Sequence, residues 1–325
     1  MESVRLPHSG LVSRNRLLKA PMEEILSSAS PIISSSSKDE ADGEEVRKIL
    51  PHMPNEVHNA LYKHWAQDGW GIIVTGNVAV DITHLGSPFD VALPPLLPSA
   101  REAISDLIKK GGISSLKEAA ASSVLDQIFP QASDILYSFT RYADNVKGVT
   151  AGLPDSDRPL AVCQLVHAGR QSMRGSGRAP WKSPWAPSAV RMRPSSRPLT
   201  TDPGSFLNPL NYVWNMIDYV LFGVPHEMTI DEIQHLKAQF VGGAILCKLA
   251  GFDGVELHGS HGYQIAAFLS PKSNTRTDEY GGTGKKRARL LLELVQETRQ
   301  ACGKEFSISV KVSDGRLQSV EQALC

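Results

Sequence analysis

Cysteine is scarce and scattered: Cys163, Cys247, Cys302 and Cys325 lie far apart, and no CxxC spacing occurs. That argues against a zinc ribbon and against a redox pair, and the four are expected as reduced thiols of a cytoplasmic protein. Net charge is missing too, with 34 Lys+Arg against 34 Asp+Glu. A chain without a positive excess has no general attraction for phosphate backbones or anionic lipid, so neither nucleic acid nor a membrane is an expected partner. No run of about 18 apolar residues exists that could span a bilayer. The most apolar aromatic stretch, Tyr212 to Val224, is broken by Asn215 and Asp218. The N-terminus lacks the charged-then-apolar order of a signal peptide. No GxGxxG turn follows a strand pattern, which disfavours a dinucleotide-binding doubly wound sheet.

What is present is ordinary globular material: 325 residues, 41% hydrophobic and 21% charged, enough for a sizeable core. Short β-rich runs alternate with amphipathic helices. Strands are predicted at Arg16–Ala20, Gly71–Gly76, Leu160–Leu165, Asp253–His258 and Phe306–Val312. Asn55 is a helix-capping residue, followed by Val57, Leu61 and Trp65 on one face, with Gly69 placed to end the helix. Residues 99–150 read as helical and alanine-rich. Thr229-Ile230-Asp231-Glu232 is a capping box; the helix it opens carries Ile233, Leu236, Phe240, Ala244 and Cys247 on one stripe and stops at Gly251. A further helix shows Ala288, Leu291, Leu292 and Val295 at helical spacing. The Ser-rich stretch Ser27 to Glu45 and the Pro/Ser/Arg-rich residues 175–210 read as irregular.

Repeated βα units favour a (β/α) barrel. Five strands are countable, and 13 residues follow Val312. A closed eight-stranded barrel needs three more units, on the order of 90 residues at ~30 each. The expectation is therefore an incomplete barrel, one domain over 1–325 with insertions near 27–53, 99–150 and 175–225. Its open edges would invite pairing with another chain, so a homo-oligomer is possible.

In such a barrel the ends of the strands and the loops after them build the active site. Reactive residue types stand there: Gln164 followed by His167-Ala168-Gly169-Arg170, His258 followed by Gly259-Ser260-His261-Gly262-Tyr263, and Lys311. Other readings are open from the residues alone. His258 and His261 are spaced for zinc but lack an HExxH or a third ligand nearby. Tyr263 could be a packing residue. Lys311 could be a solvated strand end or a Schiff-base lysine of an aldolase-like barrel. His167 and Arg170 suit either substrate contact or loop structure, and the Trp181–Trp185 segment either a substrate mouth or surface packing.

Longer motifs add a family. Asn15-Arg16-Leu17-Leu18-Lys19-Ala20-Pro21-Met22, Trp65…Gly69-Trp70-Gly71 and Gln164…His167-Ala168-Gly169-Arg170 resemble the old yellow enzyme family of FMN-dependent NAD(P)H oxidoreductases. So does the run from Gly251 through His258 and Phe268-Leu269-Ser270-Pro271 to Arg276-Thr277-Asp278-Glu279-Tyr280-Gly281-Gly282, about thirty residues in one register. The resemblance implies a TIM-type (β/α)8 barrel, FMN as cofactor, NADH or NADPH as reductant, and a small electron-poor alkene as substrate. It implies that Ala20, Pro21 and Met22 lie against the flavin and that Asn77, after the second strand, stands beside it. Gln164 would bond its pyrimidine edge, and Lys311 would face N1 and the C2 carbonyl. His258 and His261 would hydrogen-bond the substrate's activating oxygen, and Tyr263 would protonate its α-carbon. Arg276, Asp278 and Tyr280 are expected to order a loop.

Two departures stand out. Glu23 occupies a position where family members usually carry Thr or Cys, and a carboxylate there should make the flavin harder to reduce. The loops after strands seven and eight, where barrels of this type hold a cofactor phosphate, have no counterpart in the sequence. Weak or absent FMN binding, in a catalytically impaired fragment, is the corresponding expectation.

Overall fold

The computed structural model describes residues 2–30, 32–33, 48–116, 118–192 and 209–313. Five strands lie side by side in chain order, all parallel: β1 (Leu18–Lys19), β2 (Ile72–Ala79), β3 (Leu160–Val166), β4 (Gly254–Gly259) and β5 (Ser307–Val312). Parallel neighbours need crossovers, and helices supply them. These are α1 (Glu56–Ala66) before β2, and α2 (Ala100–Lys109), α3 (Glu118–Ile128) and α4 (Ala132–Val146) before β3. Before β4 come α5 (Pro209–Phe222) and α6 (Ile230–Leu249), and before β5 come α7 (Gln264–Leu269) and α8 (Gly284–Cys302).

Each strand divides its side chains by period two. Cys163, Leu165, Val255 and Leu257 enter the main apolar core with α2, α3, α4, α6 and α8, and Ile308 and Val310 pack against it. The alternate residues, Gln164, Glu256, His258, Ser309 and Lys311, therefore share the opposite face. On β3, β4 and β5 these polar groups lie on the face away from the helices, whereas on β1 the order is reversed, with Lys19 against Trp65 of α1 and Leu18 exposed. The separation on β3 to β5 is what places chemistry on one side.

Strand β2 runs three residues further than its apolar run suggested, which puts Asn77 inside the strand rather than after it. Its edge is shared. β1 pairs only with Ile72 and Ile73, and the short segment Val91–Ala92 pairs with Val78 and Ala79. Between them the Gly76 amide donates to the Tyr62 hydroxyl at 2.7 Å and to the Glu24 carboxylate at 3.0 Å. The Tyr62 hydroxyl in turn donates to Glu24. Burial drives the Glu24 carboxyl up, and the same burial lowers Lys19, its nearest cation. Lys19 lies 3.9 Å from the centre of the Trp65 ring.

Three helix readings need correction. In α1 the buried face is His58, Asn59, Tyr62 and Ala66, while Val57 is 56% exposed. The sheet side requires a donor for Glu24, and Tyr62 provides it, so hydrogen bonding outranks aliphatic content in setting the helix's rotation. The cap residue is Gln67, two positions before Gly69. In α8 the most deeply buried residues include Leu290 and Leu294, with Leu292 and Val295 only packed against the core's margin.

Helix α6 follows its sequence closely. Thr229 Oγ1 accepts from the Glu232 amide at 3.2 Å, and the Glu232 carboxylate accepts from the Thr229 amide at 2.7 Å. Every residue from Leu236 to Cys247 is buried. A helix buried on all sides belongs in an interior, where each large apolar side chain such as Phe240 contributes roughly 1.5–3 kcal/mol and the buried Lys237 is paired with Glu293 and Glu297. Cys163, Cys247 and Cys302 are buried free thiols; Cys325 lies outside the described residues. Part of the irregular stretch at 175–210 is ordered, since Trp185–Ala186 pairs with His226–Glu227. Within 27–45, Ile32–Ile33 pairs with Lys48–Ile49. Residues 31 and 34–45 of that stretch, and Asp314 onward, are outside the described residues. Among the described residues no helix is long and apolar enough to cross a membrane.

Candidate active site

The polar face gathers its functional groups through strand register. Asn77 on β2 pairs with Gln164 on β3, and Gln164 pairs with Glu256 on β4. Two residues on, and so on the same face, His258 of β4 pairs with Lys311 of β5. Four adjacent strands thus present Asn77, Gln164, Glu256, His258 and Lys311 as one patch. Gln164 is buried, and its Nε2 donates to Glu256 Oε1 at 2.6 Å. Burial raises the Glu256 carboxyl, opposed by that hydrogen bond and by the charge of Lys311. Glu256 was not singled out in the sequence, although it stands two residues before His258 and the strand period carries it to the same face.

After β4 the chain makes a tight turn. His261 has φ +56° and Gly262 φ +80°, two successive left-handed residues. For His261 that conformation costs roughly 1–2 kcal/mol. The turn is held by Gln171 Nε2 donating to the His261 carbonyl at 2.6 Å and by the Gln264 amide donating to the His167 carbonyl at 3.0 Å. It sets Tyr263 at the cap of α7. The three rings close up: His258 lies 5.0 Å from His261 and 4.9 Å from Tyr263, and His261 lies 6.4 Å from Tyr263, centroid to centroid. Tyr263 also leans on a small apolar cluster of Ala79, Leu85, Ala92 and Val166.

Protonation states follow from surroundings. Burial, reinforced by Lys311 and His261, pushes His258 down to about 3. Its Nδ1 accepts from the Ser260 amide at 3.3 Å, so the neutral ring carries its proton on Nε2. His261 is lowered by burial and by Lys311. Burial pushes the Tyr263 phenol up to about 12, with Glu23 and Asp90 adding to it. At neutral pH the cluster therefore offers neutral imidazole donors and an intact phenol.

Met22 is 54% exposed, and its carbonyl lies against Gly76, the residue before Asn77. Ala20 and Pro21 lead into it from β1. The next residue, Glu23, approaches Gly86 together with the Tyr263 hydroxyl. The segment after β1 thus reaches over β2 toward α7, closing the patch on a second side.

His167 and Trp185 belong to a neighbouring buried stack. The His84 and His167 rings are 4.6 Å apart, and Trp185 lies on both. Asp81, His84 and His167 offer three ligand-type atoms within 4.8 Å of one another. Most of their polar atoms are satisfied without a cation; the exception is His167 Nε2, buried at the limit of hydrogen-bonding distance from Asp81. His84 Nε2 accepts from the Trp185 amide at 3.1 Å, which leaves the proton on Nδ1, 2.9 Å from Asp81 Oδ2. His167 Nδ1 accepts from the Gly169 amide at 3.0 Å, which leaves its proton on Nε2, 3.5 Å from the same oxygen. Burial disfavours the Asp81 charge, but the bonds from His167 and His84 hold its carboxyl well below the usual range. Both rings face Asp81 with protons rather than lone pairs, so the group clamps loops. Trp181 stands apart, 82% exposed. Arg276 is buried in a loop brace, donating to Asp278 and to the carbonyls of Pro187 (2.9 Å) and Met228 (2.6 Å).

The donor set suits a flavin. The pyrimidine edge of that ring alternates acceptors with an N–H, and a carboxamide held by a carboxylate beside an ammonium group offers matching partners. Gln164 and Lys311 supply these on strands β3 and β5, with Asn77 alongside Gln164.

Comparison with known proteins agrees. Residues 156–322, more than half of the chain, match the family model described as NADH:flavin oxidoreductase / NADH oxidase family. The chain is 32% identical over 268 residues to the NADH-dependent flavin oxidoreductase iliE of Neonectria sp. (strain DH2), covering 82% of this chain and 28% of that protein. Over 150 residues it is 35% identical to the NADPH dehydrogenase of Clostridium acetobutylicum, covering 46% of this chain and 35% of that one. The chain thus spans about half, or less, of most curated relatives it matches. Among solved structures it superposes on the old yellow enzyme homologue of Zymomonas mobilis with TM-score 0.64 at 19% identity, covering 99% of this chain and 68% of the other. It superposes on morphinone reductase with TM-score 0.59 at 17% identity, covering 95% and 60%. The five parallel strands are therefore consecutive staves of a TIM-type barrel, and the chain belongs to the NADH:flavin oxidoreductase / NADH oxidase family.

Proposed function

We propose that this chain carries the ring-binding and proton-donating part of an FMN-dependent oxidoreductase that takes electrons from NADH or NADPH and reduces an activated alkene. The single observation behind this reading is the convergence of His258, His261 and Tyr263 beside Gln164 and Lys311 on one rim of the barrel. When bound, FMN supplies the two-electron chemistry, receiving hydride from the nicotinamide and passing hydride to the substrate.

The protein's own residues do the rest. Gln164, oriented by Glu256, and Lys311 hold the pyrimidine edge, and the fixed positive charge of Lys311 favours negative charge there. His258, neutral and protonated on Nε2, donates to the substrate oxygen as it gains charge, and His261 stands ready as the second donor. Tyr263 gives its proton to the α-carbon. A phenol pushed up to about 12 remains protonated across the physiological range and leaves as phenolate only when the carbanion-like carbon demands a proton.

The test separates the two half-reactions. Tyr263→Phe should leave reduction of bound FMN by NAD(P)H intact and slow its reoxidation by an enone by about 10²- to 10⁴-fold. His258→Ala should weaken enone binding and slow the same step by about 10²-fold. Equal rates in both variants and the wild type would dispose of the assignment.

A further inference from the structure

Beside Tyr263 lies a pair of acids that the reaction as written does not use. Asp90 is buried, 3% exposed, and its Oδ2 accepts from the amides of Gly86 and Ser87, each at 2.9 Å. Its Oδ1 is buried as well, and among the described residues no N–H or hydroxyl reaches it. Across the small space beside Gly86 stands the carboxyl of Glu23, whose charge Asp90 feels. Two carboxyl groups facing one space resist being ionised together, so a proton held there is held against the charge of both. Glu23 is exposed and so open to solvent on its other side.

The pair faces the phenol across a glycine. A Cβ built on Gly86 would lie 3.3 Å from Asp90 Oδ2, 3.7 Å from Glu23 Oε1 and 3.7 Å from the Tyr263 hydroxyl. Three oxygens thus border one small space that any larger residue at position 86 would fill. The other titratable neighbours are His261, whose ring senses the charge of Glu23, and His52, whose Nδ1 lies 3.1 Å from the Asp90 carbonyl oxygen.

We propose that Glu23 and Asp90 hold one proton between them and deliver it to Tyr263 after the phenol has given up its own. This rests on Tyr263 being the donor to substrate. In the first transfer the Tyr263 O–H bond breaks as the substrate C–H bond forms, leaving a phenolate. In the second, the carboxylic acid O–H bond breaks and the phenol is restored, leaving two carboxylates. Glu23 then takes a proton from water, and the pair returns to its starting state. The order of acidities suits that direction: burial and the charge of Glu23 push Asp90 up to about 7, still far below the phenol at about 12.

Infrared difference spectra of the full chain, taken without substrate between pH 5 and 9, read the shared proton directly. A carboxylic-acid carbonyl band present at pH 6 should vanish with a midpoint near 7, and should be missing at pH 6 from Asp90→Asn. An ultraviolet titration of Glu23→Gln should find the Tyr263 phenol moved down toward the ordinary value of about 10. With FMN and an enone, reduction should decline above pH 7 in the wild type, and that limb should disappear in Glu23→Gln and Asp90→Asn. Gly86→Ala, which keeps both acids but fills the space, should slow turnover while retaining the infrared band. Absence of the band, or an alkaline limb unchanged in both acid variants, overturns the proposal. Full activity of Tyr263→Phe would instead remove the donor reading and with it the delivery step, a result the substrate-free infrared titration keeps distinct from loss of the shared proton.

Discussion

Glu23 stands where the family resemblance leads one to expect Thr or Cys, and its place beside Asp90 changes what that difference means. In isolation a carboxylate beside a flavin opposes reduction by simple repulsion. Facing Asp90 across the space beside Gly86, it stands in a pair whose charge changes when the proposed shared proton is lost. Its effect on a bound flavin should therefore depend on pH. Replacing Glu23 with Thr is expected to raise the flavin midpoint potential, by a margin that widens from pH 6 to pH 8 as the pair loses its proton. Spectroelectrochemical titration at the two pH values checks this, and a Thr variant with equal or lower potential would count against it. Other single residues were less legible. His258, His261 and Tyr263 stood out by following a strand end, with their roles implied by the family resemblance, whereas Asp90 sits in a plain loop, and only its place beside Glu23 makes it chemical.

Among the secondary elements, strands were easier to foresee than helix faces. The strands are buried apolar runs, and each was found in place, with ends moved by one to three residues. Helix α1 misled because its inward side is polar. His58 and Tyr62 turn inward to serve Asn55, Glu24 and Gly76, and no hydrophobic periodicity reports such a need. Helix α6 shows the opposite case, where the capping box fixes the start unambiguously. Glu232 also accepts from His226 Nε2 at 2.9 Å, tying the cap to the strand pair at Trp185. Thr229→Ala is expected to cost about 1 kcal/mol in urea denaturation, and a loss within experimental error would show that the cap bonds do not persist in solution.

For the molecule as a whole, the balance of buried ionisable groups sets how folding responds to acid. Burial pushes His58 and His84 down to about 4 and His258 to about 3, against 6.5 in an unfolded chain. The folded form therefore binds fewer protons than the unfolded form below pH 6.5. Stability from these residues is complete above that pH and is lost as the pH falls through their folded values, at up to ~1.4 kcal/mol per pH unit for each. Asp90 works the other way, since its raised carboxyl favours folding as pH falls from about 7 toward 4. Glu24, Asp144 and Glu256, also raised by burial, act in the sense of Asp90, and His235 and His261, also lowered, act in the sense of the other histidines; five histidines against four acids leave the acid side weaker. The denaturation midpoint should fall between pH 7 and pH 5, and a midpoint that holds or rises would contradict the sign. The division of the barrel into a helix-covered apolar face and a polar rim is also a property of the whole, set by strand register, since the sequence offered the strands only as short β-rich runs without assigned faces. The Asp81–His84–His167 clamp was not visible, because its members come from separate loops.

The account turns on the polar rim of β2 to β5 being a cradle for a flavin ring, and a binding titration addresses that most directly. FMN and riboflavin would each be titrated with the full chain, following flavin fluorescence, alongside Gln164→Ala and Lys311→Met. Because the described rim offers partners for the ring, both ligands should show saturable quenching. Each substitution should weaken both by about tenfold or more, as expected for loss of a hydrogen bond or fixed charge of ~1.4 kcal/mol or greater. Unsaturable quenching, or binding that is indifferent to both substitutions, would mean that the rim does not hold the ring.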